Sequence, residues 1–131
     1  MEQVFYLFSY TMRSNSSAYI SVSSDEYIAC IDKGTKSHRL KLYDRRKKTV
    51  QTPQLPRLNH LIINIKFLQD GSLLATGTEC EKYYLNKYQI SSSKTADGKA
   101  VLSLVWSSRL VDACGIAVNS DESLIFVSEL D

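Results

Sequence analysis

The sequence predicts an all-β fold in which one antiparallel hairpin recurs along the chain. Three observations support it: a nine-residue pattern occurs three times, the segments between its copies alternate apolar and polar residues, and Tyr, Ile, Val and Thr are frequent. β-Branched and aromatic residues favour strands. Alternation with a period of two residues is typical of a strand with one buried face.

The recurring pattern has two apolar residues two positions apart, an aspartate three residues later, and an apolar residue three positions after the aspartate. Its copies have Asp25, Asp70 and Asp121 in the equivalent place, 45 and 51 residues apart. Propeller blades recur with a period of about 40–50 residues. Because Asp accepts hydrogen bonds from nearby backbone amides, each aspartate predicts a hairpin turn and not a metal ligand.

Between the hairpins the sequence predicts two further strands in each repeat. The third strands are predicted at residues 39–43 and 85–90, and the fourth, outer strands at residues 49–51 and 101–109. Segments rich in Pro, Ser, Asp and Gly connect these strands, and such segments favour loops. Trp106, in an outer strand, is predicted to pack between neighbouring sheets.

The predicted fold class is therefore all-β, a partial β-propeller of about two and a half four-stranded antiparallel blades in one incomplete domain. A leading outer strand falls at residues 1–11, the first blade at 18–51, the second at 61–110 and the first half of a third at 114–131. Closed propellers typically have 4–8 blades. We therefore expect the chain to be part of a larger propeller or to complete its ring by association. A β-sandwich with regularly spaced hairpins is the alternative architecture.

An unclosed stack of repeats exposes apolar surface at both ends. We expect that surface to include Phe5, Leu7, Ile125 and Val127. The isolated chain is therefore expected to self-associate or to require a protein partner that completes or docks on the propeller.

The composition indicates a globular protein, with 44% apolar and 23% charged residues. A formal net charge of +2 is too small to give the whole chain the field of a nucleic-acid binder. The sequence shows neither a signal peptide nor an apolar run long enough to cross a membrane, so we expect no membrane association and a cytoplasmic or nuclear location. Cys30, Cys80 and Cys114 are predicted to be reduced thiols, and one disulfide with one free thiol is the alternative.

A basic cluster is the most informative local feature, because it holds half of the 16 basic residues within 16 positions. Its ends are predicted in turns at opposite ends of one strand, about 17 Å apart at the usual strand rise. Such a surface predicts binding to nucleic acid or to an acidic protein partner, and a solvated strand edge is the alternative. The cluster comprises Lys33, Lys36, Arg39, Lys41, Arg45, Arg46, Lys47 and Lys48.

The sequence contains no enzyme motif. His38 and His60 are its two histidines, and neither has a partner at metal-ligand spacing. We therefore predict a non-enzymatic protein with no cofactor, no metal site and no catalytic residue.

The second repeat resembles the WD-repeat family of β-propellers. Its order is Asn59-His60, residues 62–68, Asp70-Gly71, residues 72–77 and residues 87–90. Gly-His opens the family's repeat and Trp-Asp closes it, so neither signature pair is intact in this repeat. The resemblance implies that His60 hydrogen-bonds within its blade, assisted by Thr76 or Thr78.

The third repeat is similar to blades of six-bladed lactonase and strictosidine-synthase-like propellers. The likeness lies in residues 114–118, in Ser120-Asp121-Glu122 and in residues 124–128. It implies the same architecture as the WD-repeat resemblance.

Three functions remain open as hypotheses. The first is a non-enzymatic scaffold or adaptor subunit that mediates protein–protein interaction through a propeller surface. The second is an RNA-associated WD-repeat scaffold that uses the basic cluster, such as the non-catalytic partner of a tRNA methyltransferase. The third is a fragment of a lactonase-like hydrolase, which would need carboxylates facing a central channel. The positions of the basic cluster and of the repeated aspartates distinguish them.

Overall fold

The computed structural model describes residues 21–33, 36–92, 98–112 and 115–128. Within these ranges the chain forms antiparallel strands in three sheets and no helix, so the all-β prediction is confirmed. None of the described residues belongs to a helix that could span a membrane. Outside the described ranges lie the predicted leading strand at residues 1–11, Phe5, Leu7 and Cys114.

The first sheet is a meander of four strands in which each strand pairs with the next. The predicted outer strand at residues 49–51 coincides with the fourth strand, and the third strand, predicted at residues 39–43, is one residue longer at each end. The strands are β1 (Ser21–Ser23), β2 (Tyr27–Lys33), β3 (His38–Asp44) and β4 (Thr49–Gln51).

The second sheet repeats the same strand order. The strands predicted at residues 85–90 and 101–109 fall within its third and fourth strands. The four strands are β5 (Ile62–Phe67), β6 (Leu73–Glu79), β7 (Lys82–Ser92) and β8 (Ala100–Leu110).

The third sheet has two strands among the described residues, β9 (Gly115–Val118) and β10 (Ile125–Ser128). They pair antiparallel with Phe126 opposite Ala117. They correspond to the first two strands of each larger sheet, as the threefold sequence pattern predicts.

The first and second sheets pack face to face through the main hydrophobic core. Ile31, Leu40 and Leu42 are almost completely buried on one face of the first sheet. They belong to the same cluster as Leu73 and Tyr88 of the second sheet. Alternate residues of β2 and β3 supply this contact. The apolar residues that recur every second position in the sequence are therefore the ones on the buried face.

A smaller cluster joins the second sheet to the third. Leu74 and Leu85, on the other face of the second sheet, pack with Ile116 and Ile125 of the third. Because the second sheet is covered on both faces, every residue of β6 except Glu79 is buried. The three sheets therefore form layers in chain order.

A β-bulge lets β8 contribute to both clusters. Tyr88 pairs with Leu104 and Lys87 with Trp106, so Val105 is an extra residue in β8. This extra residue reverses the alternation of faces along β8. Even-numbered residues before Val105 face the main core, and even-numbered residues after it face the smaller cluster. Leu104 packs on the main core and Trp106 on the smaller cluster, which confirms that Trp106 anchors neighbouring sheets.

The expectation that Ile125 and Val127 are exposed is wrong. Both are half-buried against the second sheet, whereas Phe126 is 57% and Leu124 56% exposed. The register of β10 explains the difference, since neighbouring residues of a strand point to opposite faces.

The three repeated aspartates all lie in turns between paired strands, but only two of them make the same bonds. Asp70 Oδ1 accepts hydrogen bonds from the backbone N–H and the hydroxyl of Ser72, and Asp121 does the same with Ser123. In the first turn this role belongs to Ser24 instead, whose Oγ accepts the N–H of Tyr27 at 3.0 Å.

These hydrogen bonds also affect the acidity of the two carboxyl groups. The hydroxyl and amide of Ser72 lower the pKa of Asp70, and those of Ser123 lower the pKa of Asp121. Bonds to the ionised form are the cause, which fits the role predicted for these residues as turn formers.

Both cysteines in the described ranges are free thiols, as predicted from the sequence. Cys80 is exposed in the turn between β6 and β7, where Cys80 and Glu81 both have positive φ. Cys30 is buried in β2, and this burial, with the charge of Asp32, raises its thiol pKa.

Candidate functional site

The basic cluster is arranged around β3 and the turn that joins β3 to β4. On β3, Arg39 is exposed and Lys41 half-buried on one face, while Leu40 and Leu42 are buried on the opposite face. Lys36 is exposed in the segment before β3. These positions agree with the predicted stripe of charge from one end of the strand to the other.

Asp44, the last residue of β3, organises the basic turn. It is only 8% exposed, and its Oδ1 accepts the backbone N–H groups of Arg46 and Lys47 at 2.9 and 3.0 Å. The N–H of Lys48 donates to the Asp44 carbonyl, and Lys48 has a φ of 57°. The local bonds of one acidic residue thus fix four consecutive cationic residues in a defined turn.

Two of these four cations bind neighbouring turns. The Arg45 guanidinium donates to the Ser24 carbonyl at 2.9 Å, and the Lys47 ammonium donates to the Gly98 carbonyl at 3.0 Å. Both acceptors are backbone atoms, so these bonds hold the turn in place without neutralising its charge. The sequence carries no signal for this role, because the acceptors are 21 and 51 residues away.

The other two cations, Arg46 and Lys48, are exposed. Within the described ranges neither side chain makes a hydrogen bond, and the ion pair found there joins Arg57 to Glu79 elsewhere. Alternate residues of the turn therefore have different roles: Arg45 and Lys47 hold it, and Arg46 and Lys48 are available to a ligand.

The remaining members of the cluster contribute less free charge. The Lys41 ammonium donates to the Thr52 hydroxyl at 2.8 Å. Lys33 is the last residue of β2, and its side chain is not among those that the structure describes. Asp25 and Glu26 lie in the turn that Arg45 contacts, so the surface becomes acidic on that side. The positive surface thus runs from Arg46 and Lys48 along β3 to Arg39, which lies opposite the largely buried Asp32 of β2.

At the opposite end of the sheets, the histidine that contacts the second sheet is His38 of the first sheet, and not His60. His60 is exposed, whereas the Nδ1 atom of His38 lies 3.1 Å from the N–H and 2.9 Å from the carbonyl of Ile62. The expectation for His60 is therefore wrong. The Thr78 hydroxyl instead accepts the backbone N–H of Leu61.

The loop between the first two sheets closes this end of the core. Tyr88, completely buried, donates its hydroxyl to the Pro56 carbonyl and accepts a bond from the Asn86 amide. Burial raises the pKa of Tyr88 to about 12. Arg57 lies over the Tyr84 ring, 5.3 Å from its centre. These contacts fix the loop against the second sheet.

Turns from all three sheets surround a shared cavity of about 420 Å³ at the end that carries the basic turn. Asp25 of the first sheet, Gln69 of the second and Glu122 of the third line it. The Glu122 carboxylate accepts the N–H of Gln69, and no cluster of metal-ligating side chains occurs in the described part of the chain. Glu122 therefore joins two turns in this arrangement.

Comparisons with protein-family models, with curated proteins and with solved structures found no match for this chain. The WD-repeat and lactonase-type resemblances consequently stay predictions from the sequence.

Proposed function

We propose that this protein is a non-enzymatic binding platform of the β-propeller type, in which successive blades present a surface to a protein partner. The observation that carries the proposal is the repeated architecture: two four-stranded meanders of identical strand order pack face to face, and a third begins in the same way. Repeats of this kind bury their apolar faces against their neighbours and leave turns and edges for binding.

The shared cavity supports a radial arrangement of the sheets. Packed sheets lie about 10 Å apart, so in a straight stack the first and third sheets would be about 20 Å apart. Asp25 of the first turn and Glu122 of the third nevertheless line the same cavity. Turns that converge in this way are expected when blades radiate from a common axis.

The carboxylates near that cavity favour a binding role over a hydrolytic one. Asp70 and Asp121 accept bonds inside their own turns, and Glu122 accepts one from Gln69. A hydrolase of the lactonase type needs carboxylates directed at a substrate or a metal. In this protein the three carboxylates instead accept hydrogen bonds from backbone N–H groups of the turns.

The outer face of the third sheet supports an association surface. Phe126 and Leu124 are more than half exposed, and Ala117, opposite Phe126, is exposed as well. A two-stranded sheet is marginally stable unless further surface packs on it. We infer that a partner, or a second copy of the chain, covers this face.

Phe126→Lys is expected to weaken association of the purified chain by at least severalfold, because it places a charge in the apolar face that is buried on association. Sedimentation velocity over a range of concentrations measures the effect. Val111→Lys is the matched control, since Val111 is an equally apolar residue that is 83% exposed outside the three sheets. A monodisperse, cooperatively unfolding monomer of the unmodified chain would contradict the proposal.

A further inference from the structure

We propose that the surface formed by Arg39, Arg46 and Lys48 binds the phosphodiester backbone of a nucleic acid. This inference goes beyond the platform function and does not depend on it, because it concerns one strand and one turn of the first sheet. It rests on cations that form no ion pair among the described residues, on the rigidity of the turn that carries two of them, and on the near absence of apolar surface beside them.

Charge without an ion-pair partner is the first argument. Asp44 is the one carboxylate between His38 and Gln51, and its Oδ1 bonds the backbone of the basic turn. Asp32, which lies opposite Arg39 on β2, is only 8% exposed. Within the described structure, no ion pair neutralises Arg39, Arg46 or Lys48. Exposed cations that are not matched by acids attract a polyanion and release its counterions when it binds.

Preorganisation is the second argument. The Asp44 bonds fix the backbone, and the Arg45 and Lys47 side chains attach it to two neighbouring turns. Arg46 and Lys48 thus project from a backbone that need not order on binding, which lowers the entropic cost of association. From Asp44 back to Arg39 the strand extends about 17 Å at the usual rise, enough to follow several nucleotides.

The composition of the surface favours a phosphate backbone over an acidic protein. Protein interfaces have an apolar, often aromatic centre, whereas nucleic-acid interfaces are polar and positively charged. Val50, 40% exposed, is the one large apolar side chain exposed on β3, β4 and the turn between them. Tyr43, on the same face of β3 as Arg39, is only 6% exposed and therefore provides no platform for stacking bases.

The charges around the basic turn determine the path that a bound phosphate backbone takes over the surface. Asp25 and Glu26 lie beside Arg45, so a phosphate backbone is repelled from the side that faces the shared cavity. The backbone is expected to pass along β3, on the face that carries Lys41, towards the exposed Arg39. Because the contacts are to phosphate alone, binding should be independent of base sequence.

The test is fluorescence anisotropy with a labelled single-stranded RNA across a salt titration. Three phosphate contacts predict a slope of about −2 for log affinity against log salt on a single strand. The double variant Arg46→Gln, Lys48→Gln should reduce the slope to about −0.7 and weaken RNA binding about tenfold at low salt. Its melting temperature should be unchanged. Lys66→Gln with Lys82→Gln, which removes the same charge elsewhere, should leave the slope unchanged.

Binding measurements with two other ligands identify the chemical class that the surface recognises. Single-stranded DNA of the same sequence should bind with a similar slope, because the contacts do not involve the 2′-hydroxyl. The proposal is overturned if neither nucleic acid binds, if both double variants lose binding equally, or if a polyglutamate peptide of equal charge binds more tightly than RNA. The last result would identify the surface as a site for an acidic protein.

Discussion

Gly77→Ala is expected to destabilise the protein by about 3 kcal/mol, because the added methyl group has no space. A Cβ atom at this position would overlap the Leu61 carbonyl oxygen and lie 3.3 Å from the Cα atom of Ile62. These are backbone atoms, and the N–H of Thr78 donates to the same Leu61 carbonyl at 2.9 Å. The strand β5 and the end of the loop before it would have to move away from β6. Urea denaturation followed by circular dichroism measures the change.

Gly115→Ala is the matched control for this substitution. The nearest atoms to its added methyl group are the side-chain tips of Ser128 and Asn64, at 3.3 and 3.6 Å, and both can rotate away. We expect its cost to be below about 1 kcal/mol, in the range of ordinary substitutions away from the core. Equal costs for the two variants would contradict the close approach of β6 to the Leu61 backbone.

Tyr88→Ala is expected to cost about 4 kcal/mol of unfolding free energy, since it empties the centre of the main core. Tyr88 is completely buried and belongs to the cluster that joins the first two sheets. Tyr88→Phe keeps the ring but leaves the Asn86 amide and the Pro56 carbonyl without their partner, which should cost about 1–3 kcal/mol. The two variants therefore separate the contribution of packing from that of the hydrogen bonds.

Tyr83→Ala, on the same strand but only half-buried, is the control for Tyr88→Ala. Chemical denaturation monitored by Trp106 fluorescence and by circular dichroism checks the order of stabilities. If Tyr88→Ala were no more destabilising than Tyr83→Ala, the first two sheets would not share the core described above.

Much of the strand architecture could be predicted from the sequence because it depends on local signals. The alternation around Leu40 and Leu42 predicts β3, and a short segment that contains β-branched residues predicts β4 at its observed bounds. Asp70 and Asp121 form turns through bonds to residues two positions away, a range at which sequence is informative. The first turn was less predictable, since Ser24 and Asp25 offer similar acceptors side by side.

Features that depend on register or on distant partners could not be predicted. The bulge at Val105 and the outward direction of Phe126 follow from which residues pair across strands, and a shift of one position reverses both. His38 contacts a backbone 24 residues away, so its proximity to Ile62 is visible only after the sheets are packed. The basic cluster was predictable as a stretch of charge, but the different roles of Arg45 and Arg46 were not.

The radial arrangement of the sheets is the central claim, and cross-linking between the first and third turns tests it most directly. In a variant whose native cysteines are replaced, Asp25→Cys and Ser120→Cys introduce one thiol on each side of the shared cavity. The radial arrangement predicts that a short bis-maleimide links the two thiols in the folded chain, and that the link is lost in denaturant. A straight stack would hold the first and third sheets about 20 Å apart, beyond the reach of the reagent. Two thiols that each react with a monofunctional maleimide but never become linked would contradict the claim.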